Sequence, residues 1–252
     1  MSEPDGVPRR HGGLWEQVAT IAVAVAVALL FRALVLEPYR IPSASMLPNL
    51  LVGDHLFVNK FAYGAALPFT DLRLPALRSP ERGEIVVFTV ARDGVSTHPA
   101  DRRPDLPREE FVKRIVAVPG DRVEFRDDRL LVNGEPVPAR RLDWTFAEGD
   151  RAHVVRELRA DERRYRVLDD PEVVAPPGKP QVVEEDRYYV MGDNRDHSED
   201  SRYWGTVHRD QIKGPAFLIY WSWKYDGGWL ELLNPLTWWR TEKRWERVGA
   251  RL

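Results

Sequence analysis

The amino-acid sequence predicts a mainly β fold: an antiparallel β-sheet core with a β-rich insertion, preceded by one N-terminal transmembrane helix. Three observations carry this expectation. A single long apolar run stands near the N-terminus. Beyond Leu51 the chain breaks into short stretches rich in β-branched and aromatic residues, bounded by Gly, Pro, Asp and Asn. No strand–helix–strand alternation appears, which disfavours a parallel sheet. Twenty prolines and 17 glycines scattered over 252 residues also favour short elements and turns.

The apolar run is VATIAVAVAVALLF, Val18 to Phe31, continued by ALVL to Leu36 after a single Arg32. About 19 residues at roughly 1.5 Å rise give on the order of 28 Å, enough to span a hydrocarbon core. Arg32 lies near one end, where its long side chain can snorkel to the interface. A retained span over residues 15–36 is the expectation, with residues 1–14 as a cytoplasmic tail. A cleaved secretion signal is a competing reading, because Arg9 and Arg10 precede the run. No small-x-small site follows it, however. A buried helix of a soluble domain is the third reading. Arg9 and Arg10 favour a cytoplasmic N-terminus, and Arg40 weakens that asymmetry.

The strand-like segments follow in order: DHLFVNKFAYG, EIVVFTV, FVKRIVAV, DRVEF, RLLVNGEPV, RYYVMGD and AFLIYWSW. VNGEPV reads as a hairpin turning at Asn133-Gly134. Ala139 to Pro180 is more polar, with RELRADERRYR and the turn-prone APPGKP, and reads as an inserted subdomain or a long excursion. The chain therefore divides into a first core segment (37–125), an insertion (126–186), a second core segment (187–225) and a Trp-rich basic tail (226–252). Seven of the nine tryptophans fall between Trp204 and Trp245. The tail either lies along a membrane surface as an amphipathic segment or docks on the domain.

Composition excludes several functions. A formal net charge of −2 gives no basic excess for nucleic acid. The absence of cysteine removes disulfides, thiolate metal sites and cysteine nucleophiles. There is no G-x-S-x-G elbow, no H-E-x-x-H and no phosphate-binding loop. The S-x-x-K spacing fails because Pro48 stands three residues after Ser45. None of the six histidines shows metal-ligand spacing with another. Asp196-x-Ser198-x-Asp200 starts like a calcium loop, but Ser201 replaces the required glycine and Val207 the bidentate glutamate. Neither metal nor cofactor is expected.

Two segments remain as candidates for chemistry. IPSASMLPNL, Ile41 to Leu50, sets a rigid, serine-bearing turn just beyond the apolar run. In FVKRIVAVPGD, strand alternation puts Phe111, Lys113, Ile115 and Ala117 on one face, so Lys113 interrupts an apolar surface. An edge-strand lysine with its amine in water satisfies that pattern. A lysine desolvated enough to lose its proton satisfies it too, because burial lowers an amine pKa by up to 3–5 units. Ser-Lys pairs are known variants of the serine hydrolase arrangement.

IPSASMLPNL, GDHLFVNKFAYG, RGEIVVF, FVKRIVAVPGD and GDNRDHSEDSRYWG, in this order after an apolar run, resemble the sequence boxes of bacterial type I signal peptidases (leader peptidases). The resemblance covers most of Tyr39 to Asp121 and Tyr188 to Gly214, and not the insertion or the tail. It implies Ser45 as nucleophile and Lys113 as general base. It implies that Ser43 joins the Ser45 N–H in an oxyanion hole, and that Ser198 orients the lysine amine. Asp193, Arg195, Asp200 and Arg202 match the charged residues supporting that site, with Asp200 and Arg202 read as a structural ion pair. Ala44 stands where many relatives have glycine, and His197 where many have asparagine.

The resemblance further implies a monomer in the bacterial cytoplasmic membrane, single-pass, with its catalytic domain on the outer side. Its substrates would be the signal peptides of exported preproteins, cut after a small-x-small motif. An extended peptide on a sheet edge points alternate side chains the same way, so residues −1 and −3 face the enzyme together. Ile41, Met46, Leu50 and Val112 are the candidate pocket walls. Two rivals differ in class. A self-cleaving repressor of the SOS type would need a DNA-binding N-terminus, where this chain has an apolar run. An inactive, membrane-tethered β module that binds export partners is opposed by the presence of both Ser45 and Lys113.

Overall fold

The computed structural model describes residues 13–64, 72–126, 129–173, 178–224 and 240–252. One helix, α1 (Leu14–Leu34), leads into β1 (Leu36–Arg40), β2 (Asp54–Asn59), β3 (Ile85–Arg92), β4 (Thr97–Pro99) and β5 (Arg108–Ala117). Next come β6 (Arg122–Arg126), β7 (Arg129–Val132), β8 (Glu135–Pro136), β9 (Ala139–Glu148), β10 (Arg151–Ala160), β11 (Arg163–Asp169) and β12 (Gly178–Val182). The chain finishes with β13 (Arg187–Met191), the single-turn α2 (Ser201–Trp204), β14 (Val207–His208), β15 (Ile212–Lys224) and β16 (Glu242–Lys243).

The mainly antiparallel β expectation holds. The large sheet runs β1-β2-β15-β3-β5-β13-β14, with β4 beside β3 and β16 beside β15. A four-stranded sheet (β12-β6-β7-β8) and a three-stranded sheet (β11-β10-β9) come from the middle of the chain. EIVVFTV lacks alternation because β3 is covered on both faces. Val86, Phe88 and Val90 enter one apolar cluster with Ile115, Tyr188 and Ile212. Ile85 and Val87 enter another with Ile41, Met46, Leu50 and Leu56. The hairpin at Asn133-Gly134 forms as the sequence indicates, with φ of 56° and 86°. Both values are the left-handed pair that a two-residue turn of this twist requires.

The polar stretch from Ala139 folds as the three-stranded sheet, and it leans on the first core segment. Leu168 of β11 and Val155 of β10 pack with Leu47, and Ala44 and Leu51 lie against them. At the other end of the chain, Trp245 meets Trp221 edge-to-face at 5.1 Å. Arg247 binds the buried Asp54 carboxylate at 2.6 Å and the Asn49 carbonyl at 2.7 Å. Residues 240–252 of the tail thus dock on the core, whereas 225–239 lie outside the described residues.

The helix expected at the apolar run forms as α1, Leu14–Leu34. Helix α1 exposes Leu14, Trp15, Val18, Ile21, Val23, Val25, Val27 and Leu29, and its side chains at 30, 31 and 33 lie outside the description. Among the described residues, no helix is long and apolar enough to cross a membrane.

Candidate active site

Beyond β1 the chain stays extended through Ile41, whose N–H donates to the Asp54 carbonyl at 2.8 Å and whose carbonyl accepts from Gly53 at 2.9 Å. It then tightens into a 3₁₀ turn at Ala44–Met46, with Ser43 as the extended residue before it. Gly53 has φ +88°, and a Cβ there would lie 2.0 Å from the Trp223 carbonyl oxygen, so only glycine lets the loop close on β15. Ser43 Oγ and Ser45 Oγ sit 3.3 Å apart. Both serines line a cavity of about 440 Å³ together with Ile41, Met46, Val112 and Lys113. Leu50 is fully buried behind Met46 in the same apolar cluster and is not among the residues that line the cavity.

Lys113 enters this cavity from β5. It is 4% exposed, with its amine 5.6 Å from the centre of the Phe111 ring. Burial pushes its pKa down to about 8, against the pull of Asp200 and Glu199 and with help from Arg202. No hydrogen bond joins Lys113 to Ser45 among the described residues. Two strand edges flank the cavity. On one side β5 pairs with β3 from Arg108 to Arg114. On its other side it pairs with β13 only through Arg114, Ile115 and Ala117. Among the described residues, 108–113 therefore present an unpaired edge. Among the described residues, β1 is the outer strand of the large sheet, paired with β2 alone.

The loop after β13 carries the remaining charged residues. Asp200 and Arg202 form an ion pair with both side chains fully buried, at 2.8 Å and 2.9 Å. Burial alone would raise the Asp200 carboxyl; Arg202, the Gly192 N–H at 3.0 Å and Lys113 hold it below its usual range. Arg202 also donates to the carbonyls of Arg195 and Ser198, which shapes the loop. Arg195 itself is buried beside Met191. Ser198 Oγ is buried and has no hydrogen-bond partner among the described residues. Asp193 is buried and bound by Arg114 through two contacts of 2.7 Å and by Asn49 at 2.7 Å.

Three neighbours escaped the sequence reading. Arg114 was visible only as the residue beside Lys113 on the opposite face, and its partner Asp193 lies 79 residues away. Asn49 sits inside the serine-bearing segment and reaches both Asp193 and the Arg166 carbonyl. Gly192 has no strained φ to mark it. A Cβ there would lie 2.2 Å from Ser198 Oγ and 2.6 Å from the Ser45 carbonyl oxygen, so the two segments approach across a missing side chain.

The family model described as "Signal peptidase, peptidase S26" matches residues 14–221. The signal peptidase I of Pseudomonas fluorescens is 35% identical, over 88% of this chain and 79% of that protein. That of Aquifex aeolicus (strain VF5) is 32% identical, over 88% of this chain and 90% of that protein. The crystal structure of a signal peptidase I from Enterococcus faecalis V583 matches with a TM-score of 0.32 and 24% identity, over 56% of this chain and 98% of that one. With the matched model spanning most of its length, the chain belongs to the type I signal peptidases of the S26 family of serine peptidases.

Proposed function

We propose that this protein is a membrane-tethered endopeptidase that removes signal peptides from exported preproteins, with Ser45 as nucleophile and Lys113 as general base. The observation that carries the reading is a buried amine, its pKa lowered to about 8, in the same cavity as an accessible serine hydroxyl. Neutral Lys113 takes the Ser45 proton as Oγ attacks the scissile carbonyl. The Ser45 N–H and the Ser43 hydroxyl hold the oxyanion. The lysine then protonates the leaving amine, and a water activated by the same amine releases the acyl-enzyme. The gap between Ser45 and Lys113 is expected to close with substrate bound, as catalytic hydrogen bonds commonly do.

A substrate strand fits between the open edge of 108–113 and the segment from β1 to Ser43. Ile41, Met46 and Val112 would then wall small pockets for residues −1 and −3. Residues 37–125 and 187–225 form the catalytic core in this reading, with 126–186 inserted. Tethering is supported by the apolar run to Leu36 and by the exposed aliphatic side chains of α1. Arg9 and Arg10 would hold the N-terminus inside, with the cavity at the outer face.

The test is incubation of the purified protein with a preprotein bearing an A-x-A site, followed by sequencing of the product termini and a pH profile. The lysine must be neutral to act. A pKa of about 8 leaves roughly a tenth of the molecules competent at pH 7, against about one in 3,000 for an ordinary amine near 10.5. The rate should fall about tenfold per pH unit below 8 and level off above it. A rate that climbs only above pH ~10 would contradict a desolvated amine. Gly192→Ala provides an independent check, because the added methyl pushes Ser198 and the Ser45 carbonyl apart. Displacement on this scale is expected to cost about 100-fold in kcat with KM little changed. An unchanged kcat would remove Gly192 from the positioning of Ser45.

A further inference from the structure

The fold gathers a second cluster of chemistry-bearing side chains that takes no part in the reaction above. His153 of β10, Asp170 just after β11, and His197 in the loop after β13 bring one ligand atom each within 4.8 Å of one another. His153 is completely buried, and neither of its ring nitrogens has a hydrogen-bond partner among the described residues. Its Nε2 meets only a carboxylate oxygen out of hydrogen-bond alignment, and a buried Nδ1 with no hydrogen-bond partner is costly and calls for one. His197 Nε2 lies 2.9 Å from Asp170 Oδ2, and the two imidazole rings meet edge-to-face at 5.5 Å. A second carboxylate oxygen, Glu148 Oε2, stands 3.3 Å from His153 Nε2.

Two imidazoles and one or two carboxylates are a zinc donor set. Ligands 2.0–2.2 Å from a tetrahedral ion lie about 3.4 Å from each other, so the His153, Asp170 and His197 atoms need to close by only about 1.4 Å, and Glu148 adjoins them through His153. Magnesium and calcium want six or more oxygens, which the cluster does not offer. One group opposes a cation. Arg151 Nη1 is 3.4 Å from His197 Nε2 and 3.9 Å from Asp170 Oδ2. Its side chain is 62% exposed, so it can swing into solvent.

We propose that His153, Asp170 and His197, with Glu148 as fourth ligand, form a zinc site that clasps the inserted three-stranded sheet to the loop beside Ser45. Asn194 shows what the clasp would hold. Its N–H donates to the Ser45 carbonyl at 3.1 Å and its carbonyl accepts from the His197 N–H at 3.2 Å. Its amide also reaches Ala44 O at 3.3 Å and Glu148 Oε2 at 3.5 Å.

The experiment uses the full chain in detergent micelles, stripped with a chelator, desalted and titrated with Zn²⁺, Co²⁺ or Mg²⁺. One zinc per chain is expected, with Tm rising by about 5–10 °C at free zinc a hundredfold above Kd. Cobalt should give the visible bands of a tetrahedral site, and magnesium no shift. His197→Asn, at the half-buried side of the cluster, and the near-isosteric Asp170→Asn should each weaken zinc binding at least tenfold. Absence of any zinc-dependent shift overturns the proposal. So does a shift that survives both substitutions, since the zinc would then sit elsewhere.

Discussion

Lys113→Ala is expected to lose preprotein cleavage by about 10⁴-fold or more while the chain still folds, and Ser45→Ala to match it. Groups that act as one unit fail together, and what persists comes from substrate binding and oxyanion stabilisation. Lys113→Met sharpens the result because it keeps most of the buried volume without the amine. The sign of the stability change follows from the direction of the pKa shift. Folding lowers the Lys113 pKa from 10.5 to about 8. The native state therefore carries a cost for burying an ammonium that is full below pH 8 and disappears above pH 10.5. That cost is on the order of 3 kcal/mol at neutral pH. The methionine variant should thus be inactive yet melt higher than wild type at pH 7, with the gap narrowing as pH rises. Full turnover by Lys113→Ala at neutral pH would exclude the amine as base. Equal melting of the methionine variant across this range would show that the native amine is hydrated.

Asp193→Ala carries the largest expected loss of stability. The substitution strands the Arg114 guanidinium, which is buried 4.2 Å from the centre of the Tyr165 ring and, among the described residues, otherwise hydrogen-bonds only to the Gly83 carbonyl. An uncompensated buried charge costs about 3–5 kcal/mol, and Tm should fall by on the order of 10 °C. Asn49 loses an acceptor as well, which loosens the segment that carries Ser45. The double variant Asp193→Leu/Arg114→Leu should recover much of the loss, because apolar replacement of a whole buried pair is commonly near neutral. An unchanged Tm in Asp193→Ala would mean that the pair is not closed in solution.

What the sequence conveyed depended on whether a signal was local. Strand identity in EIVVFTV, DRVEF and RYYVMGD, and the Asn133-Gly134 hairpin, follow from β-branching, turn chemistry and short-range pattern. The alternation around Lys113 identified its apolar face correctly. It put Arg114 on the opposite face without marking its burial, because β5 is covered on both faces from residue 113 onward and the burial of Arg114 depends on Asp193. β9 to β11 were hard to foresee in detail, since arginine and glutamate on their outer faces obscure the period of two. Gly192 and the His153–Asp170–His197 cluster had no local signal at all. Residue spacing cannot reveal that β10, the end of β11 and the loop after β13 converge.

The Arg166 carbonyl of β11 accepts a 2.6 Å hydrogen bond from Asn49, four residues past Ser45, and Leu168 of the same strand both covers Leu47 and donates its N–H to the Asp193 carbonyl at 2.8 Å. Excising the inserted segment 126–186 would therefore not trim an ornament from a finished machine. It would remove one wall of the mould in which the reactive loop is cast, and any miniature version must replace that backbone acceptor and that leucine before it can work.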